Sequence, residues 1–228
     1  MIKTILLSTI LIAFSSILNL CKAQTIRVDS SRFSVYYWHS KDMFDNLPDI
    51  SDEIIFLGNS ITDGAEWFEL LSNNKCLNRG ISGDVVDGVL LRLDAITRCK
   101  PGKVFLMIGV NDLAKGETNE FIISKILEIA KRIKNESPET ALYIQSILPV
   151  NPNSGMFKNH TDKSDNIIYI NSELKAMADS NAYKYIDLHS SFTDSNGFLK
   201  MSFTLDGLHL NYTAYKAWSE IIKTYIVQ

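Results

Sequence analysis

Cysteine, proline and histidine are scarce in this 228-residue chain, which holds three, five and four of them respectively. So few cysteines exclude the disulfide frameworks that staple small secreted domains. Outside the amino-terminal segment only Cys76 and Cys99 remain. An oxidising compartment would permit them to pair, and two buried unpaired thiols is the equal alternative, because a domain of this size needs no staple. The four histidines, His39, His160, His189 and His209, are scattered without zinc-type spacing, so neither a metal nor any other cofactor is expected. Basic runs are missing as well: 23 Lys and Arg stand against 26 Asp and Glu, for a net charge of −3. That balance gives no electrostatic footprint for nucleic acid and fits a small-molecule or glycan partner better. No internal repeat or low-complexity tract is present, which excludes a solenoid.

One long apolar run does occur, at the start. Met1-Ile2-Lys3 leads into Ile5 to Leu20 and ends in Cys21-Lys22-Ala23, the pattern of a secretory signal peptide cleaved before Gln24. Ser8, Thr9, Ser15, Ser16 and Asn19 interrupt the run and make it a poor permanent membrane span, although an uncleaved anchor is an alternative. Lipoprotein processing at Cys21 is another, but Leu20 stands where lipoprotein signals resemble one another in having a small residue. The expectation is an exported protein, periplasmic or extracellular, with residues 24–228 as one domain and no stable membrane insertion once the signal is removed.

The remainder alternates short apolar runs with amphipathic ones. Strands are expected at Ile54 to Leu57, Cys76 to Asn78, Val104 to Ile108, Leu142 to Ile147 and Tyr185 to Leu188. Helices are expected around Trp67 to Leu71, at Val85 to Ile96, Phe121 to Ile133, Ile167 to Met177 and Tyr212 to Ile226, with a lead-in helix from Tyr36 to Leu47 stopped by Pro48. Asp84 and Thr118 read as N-caps, and Pro101 and Pro138 follow helix ends. Strands separated by crossovers of helical length predict a flavodoxin-like, doubly wound five-stranded parallel sheet with helices on both faces. In such a sheet, chemistry belongs beyond the carboxyl ends of the strands.

Four segments meet that requirement. The first strand runs into Gly58-Asn59-Ser60-Ile61-Thr62, a hydroxyl in a strand-to-helix turn, where backbone N–H groups face developing negative charge. Alone this is more often a helix cap than a nucleophile, and Thr62 breaks the Gly-x-Ser-x-Gly elbow of α/β-hydrolases. The second strand ends in Asn78-Arg79-Gly80-Ile81-Ser82-Gly83-Asp84, where Gly83 lets backbone approach a ligand, or simply permits a turn. The third ends in Gly109-Val110-Asn111-Asp112, a neutral amide donor or an Asn-Asp turn. Ahead of the last helix, Asp206 stands three residues before His209, so the carboxylate can hold Nδ1–H while Nε2 faces a serine.

Together these segments resemble the SGNH (GDSL-like) hydrolase family, whose Gly-Asp-Ser, glycine, Gly-x-Asn-Asp and Asp-x-x-His blocks occur here in order over nearly the whole chain beyond the signal. The resemblance implies Ser60 as nucleophile, Asp206 and His209 as the rest of a triad, and an oxyanion hole from the Ser60 and Gly83 N–H groups and the Asn111 side chain. Asn59 departs from the family's aspartate in the first block, which is not a triad member. The segments at residues 58–64, 78–84 and 145–150 look like the branch related to platelet-activating-factor acetylhydrolase and carbohydrate acetylesterases. That likeness implies an esterase acting on a small-molecule or glycan ester, with O-acetyl groups on sugars as the expected substrate. The alternatives are a lysophospholipase or broad acyl-esterase, and, as a non-enzyme, a catalytically silent carbohydrate-binding module on the same scaffold.

Asp187 and His189, at the end of the fifth expected strand, offer a rival base, although two residues along an extended chain lie too far apart for an easy mutual hydrogen bond. Arg79 is expected in a structural ion pair, with a substrate contact as the alternative. Trp67, Phe68 and Leu71, like the aromatics of the last helix, are expected on buried helix faces. Asn135, Asn159 and Asn211 begin glycosylation sequons, which matter only in a host that glycosylates exported proteins. The polar connection from Pro149 to Lys163 leaves the fourth strand at the functional rim and is expected to shape the pocket.

Overall fold

In the computed structural model, residues 32–50 and 52–226 are described. The expected signal segment, residues 1–23, lies outside them. Among the described residues, no helix is long and apolar enough to cross a membrane.

The chain runs α1 (Val35–Asn46), β1 (Ile54–Gly58), α2 (Ser60–Asp63), α3 (Trp67–Leu71), β2 (Cys76–Gly80), α4 (Val86–Leu91), α5 (Asp94–Thr97) and β3 (Lys103–Met107). It continues through α6 (Val110–Ala114), α7 (Asn119–Glu136), β4 (Ala141–Gln145), α8 (Lys158–Thr161), α9 (Ser164–Ala176), β5 (Lys184–Ile186), α10 (His189–Phe192) and α11 (Tyr212–Ile226). All five strands pair in parallel in the order β2-β1-β3-β4-β5. This is the flavodoxin-like α/β order expected from the alternation of elements, with its switch point between β1 and β3.

Burial explains the strand sequences. Every residue of β1 is buried, and β3 and β4 are buried after their first residue, so these central strands read as unbroken apolar runs. The edge strands β2 and β5 are only partly covered. Phe56, Phe105 and Tyr143 sit at adjacent register positions and stack across the sheet at 5.1 and 4.7 Å between ring centroids. On that face Trp67 of α3 stacks on Phe56 at 3.9 Å and meets Trp218 of α11 edge to face at 4.8 Å. In α7, Ile122, Ile126, Ile129 and Ile133 fall at helical spacing and are all buried, and Thr118 caps the helix by accepting from the Phe121 N–H.

Several expectations need correction. Val85 to Ile96 is not one helix: it divides into α4 and α5, and the Arg92 side chain at the break reaches into the interior. Asp84 is not an N-cap; its carboxylate accepts from Val85 N–H and from Arg92, while Asp112 on a different segment accepts the Val86 N–H that opens α4. The fourth strand ends at Gln145 because the Ile147 backbone turns to the Asn171 amide of α9, giving bonds of 2.8 Å in each direction. The fifth ends at Ile186, since Leu188 and His189 N–H both donate to Ser146 Oγ. Phe68 is 55% exposed although Trp67 beside it is buried, and Tyr212 is likewise exposed while Tyr215 and Trp218 are buried. Arg79 forms no ion pair among the described residues. Its guanidinium lies 4.9 Å from the centre of the Phe44 ring and donates to Asn78 O. Cys76 and Cys99 are both free thiols, the second of the two alternatives left by the sequence, although only Cys76 is buried and Cys99 is partly exposed.

Candidate active site

Ser60 opens the one-turn helix α2 directly after β1. Asn59, itself buried, accepts the Ile61 N–H with its side chain, so the amide that replaces the usual aspartate serves as a helix cap. Tyr215 of α11 donates its hydroxyl to Ile61 O, tying the turn to the last helix. At Gly80 a side chain would put Cβ 2.2 Å from the Asp63 nitrogen, so only glycine lets the end of β2 pass this close to α2.

The Asp206–His209 segment folds back on itself. Asp206 Oδ1 accepts the N–H groups of Leu208 at 2.9 Å and His209 at 2.8 Å, and Oδ2 lies 2.8 Å from His209 Nδ1. Partial burial pushes the Asp206 carboxyl up, but the imidazole and the two backbone N–H groups outweigh it and hold the group below the usual carboxylate range. A carboxylate can only accept, so Nδ1 carries the ring proton and Nε2 presents its lone pair. That lone pair faces Ser60: Oγ and Nε2 are 3.1 Å apart across 149 positions of sequence. The loop after β4 braces this segment, since Asn151 N–H donates to Gly207 O and Ser154 Oγ to Asp206 O.

Gly83 has φ +82° and lies in an exposed loop with open space where a side chain would project. Among the described residues, neither its N–H nor that of Ser60 donates to a protein acceptor. The loop is held at both ends. Asp63 accepts from Ser82 N–H at 3.1 Å and Ser82 Oγ at 2.6 Å, and also from Tyr36. The fully buried Arg92 binds the Asp84 carboxylate, Arg79 O and Gly58 O together. Burial pushes the Asp84 carboxyl up, against the pull of Arg92. Asn111, 8% exposed, donates from Nδ2 to Asp84 O at 2.9 Å and accepts from His160 Nε2 at 3.0 Å.

The residues expected from the sequence thus gather at the carboxyl ends of β1, β2 and β3 and ahead of α11. The rival pair does not join them. Asp187 accepts from Ser190 N–H and Oγ, and the His189 ring lies 3.3 Å from Thr193 Oγ1. Burial holds the His189 imidazole below its ordinary value. Among the described residues, no cluster of three or more His, Cys, Asp or Glu side chains is placed to hold a metal ion. Sequence reading gave no role at the site to His160, Asp63, Arg92, Asn151 and Ser154, whose partners lie from 8 to dozens of positions away. The long polar connection after β4 was the one available signal, and it does supply Asn151, Ser154, Phe157 and His160 to this rim.

Residues 56–217 match the family described as GDSL-like lipase/acylhydrolase. The chain belongs to this family. The likeness drawn from the four motifs is borne out. Among relatives of this GDSL-like hydrolase, human platelet-activating factor acetylhydrolase IB subunit alpha1 is 24% identical over 198 residues, covering 84% of this chain and 81% of that protein. The alpha2 subunit from Rattus norvegicus is 25% identical over 199 residues, covering 85% and 82%. The crystal structure of a GDSL-like lipase from Bacteroides thetaiotaomicron shares the fold, with a TM-score of 0.73 at 23% identity over 84% of this chain and 97% of that one.

Proposed function

We propose that this GDSL-like hydrolase is a serine esterase that cleaves small acyl esters through an acyl-enzyme on Ser60. The observation that carries the reading is the continuous line from Ser60 Oγ to His209 Nε2 and from His209 Nδ1 to Asp206. His209 takes the hydroxyl proton as Ser60 attacks the ester carbonyl, and Asp206 stabilises the imidazolium that forms. The oxyanion is received by the Ser60 and Gly83 N–H groups and by the Asn111 amide. His209 then returns the proton to the leaving alcohol, and water deacylates the serine by the same base.

For the substrate, two of these relatives are acetylhydrolases of platelet-activating factor and the third is a GDSL-like lipase. That supports a broad acyl-esterase with short acyl groups better than a deacetylase confined to carbohydrates. Phe157, 41% exposed with its ring 5.1 Å from the His209 ring, offers an apolar contact beside the base. Export is part of the proposal and rests on the leader sequence.

An activated acetyl ester and a serine-directed organophosphonate test the reading. The expected result is turnover, labelling on Ser60, and loss of both in Ser60→Ala. A wild-type chain that neither turns over nor takes the label would instead fit the silent binding module. A series from acetyl to long-chain esters beside acetylated sugars sets the substrate. Activity restricted to long chains would remove the short-acyl proposal while leaving the serine in place.

A further inference from the structure

The Asn111 amide is the one side-chain donor in the proposed oxyanion hole, and its orientation is fixed by two partners on opposite sides. Its nitrogen faces a backbone carbonyl, Asp84 O, at 2.9 Å. A carbonyl only accepts, so that assignment cannot be reversed by flipping the amide. Oδ1 therefore faces His160 Nε2 at 3.0 Å, and this ring nitrogen must carry a hydrogen. His160 comes from α8, in the connection after β4, and its ring stands edge to face with Phe157, which meets His209 in the same way.

We propose that His160 is a positioning residue for the oxyanion hole: its Nε2–H locks the Asn111 amide so that the second Nδ2 hydrogen points at the reacting carbonyl oxygen. The inference rests on the esterase reading. Without that donor, Oδ1 is left unpaired at a nearly buried position and only the Asp84 carbonyl holds the amide, so the second Nδ2 hydrogen is less well aimed at the reacting oxygen. The ring N–H also draws electron density toward Oδ1, which strengthens the N–H donors of the same amide. Burial and the neighbouring His209 hold the imidazole below its ordinary value, and the donor does not depend on that titration, since a protonated ring would still carry hydrogen on Nε2. Asp162, which pulls the other way, and His209 are the charged or titratable groups that act on it.

Two variants of equal size separate donation from packing. His160→Gln keeps an N–H within reach of Oδ1, whereas His160→Glu above neutral pH offers only acceptors. The expected kcat on an acetyl ester is within about threefold of wild type for Gln and lower by about tenfold to a hundredfold for Glu, with KM changed less than about threefold in both. Phosphonylation of Ser60, which builds a tetrahedral adduct, should slow in parallel. The Asn111→Ala/His160→Glu double variant should be no slower than Asn111→Ala, because His160 acts through that amide. Equal rates for Gln and Glu, or losses that multiply in the double variant, would overturn the inference. Retained turnover in Ser60→Ala would remove the parent reading instead.

Discussion

Asn111 shows how the kind of a side chain can be legible in the sequence while its surroundings stay hidden. An amide at the end of the third strand is visible as a donor that does not titrate. That one of its hydrogens is already given to Asp84 O, so that a single amide hydrogen remains for the proposed oxyanion contact, is not visible. Removing the donor should cost about 3 kcal/mol in the barrier, so Asn111→Ala is expected to lower kcat about a hundredfold with little change in KM, as read by steady-state hydrolysis of an acetyl ester. A rate within twofold of wild type would exclude the amide from the mechanism. The two histidines expected as candidate bases provide a sharper contrast. His209 faces the serine and His189 faces Thr193. His209→Ala should therefore abolish turnover and His189→Ala should leave most of it. The reverse pattern would require a different base.

At the scale of elements, the loop that carries Gly83 is held less by its own turn than by Arg92. This guanidinium ties the ends of β1 and β2 to Asp84, and both partners of the ion pair have fully buried side chains. Replacing it strands a carboxylate without its counter-charge, so Arg92→Met is expected to lower unfolding free energy by about 3–5 kcal/mol. Urea denaturation checks this, and Asp84→Asn/Arg92→Met should be less destabilised than the single variant. A single variant as stable as wild type would show that the pair carries no such strain of desolvation. Arg92 also shows why a helix from Val85 to Ile96 was expected and is not found. The apolar periodicity continues through the break, but the arginine's partners, Asp84, Arg79 O and Gly58 O, stand 8, 13 and 34 positions earlier in the chain, outside the expected helix. Local spacing carries no trace of them. The N-cap assigned to Asp84 failed for the same reason: the acceptor for the Val86 N–H is Asp112, brought in from beyond β3. Thr118 could be read correctly because its partner, the Phe121 N–H, is three residues away.

For the whole molecule, Asp112 couples folding to pH. It is 2% exposed, and burial pushes its carboxyl up to about 7 despite the N–H bonds it accepts. An unfolded chain releases this proton near the ordinary value of about 3.9, so between roughly pH 4 and 7 the folded state holds a proton that the unfolded state has lost. Stability contributed by this group is therefore full below that window and falls as pH rises through it. The ceiling on the change is about 4 kcal/mol. Asp112→Asn, which keeps an oxygen for Val86 N–H, should flatten that slope in thermal unfolding followed from pH 4 to 8. An unchanged slope would show that other groups set it.

The sequence alone determined the layered architecture, because strands buried on both faces must be apolar throughout and helices covering them must be apolar on one side, and both patterns are local. It also determined which residue types stand at the ends of β1, β2 and β3 and before α11, since each motif is contained within a few positions. The tertiary structure decided what those residues meet. The approach of Ser60 to His209, the His160 contact with Asn111 and the Arg92 clamp each join positions dozens of residues apart. Hydrogen-bond partners of that kind are fixed by how the crossovers pack, and no periodicity in a single chain records them.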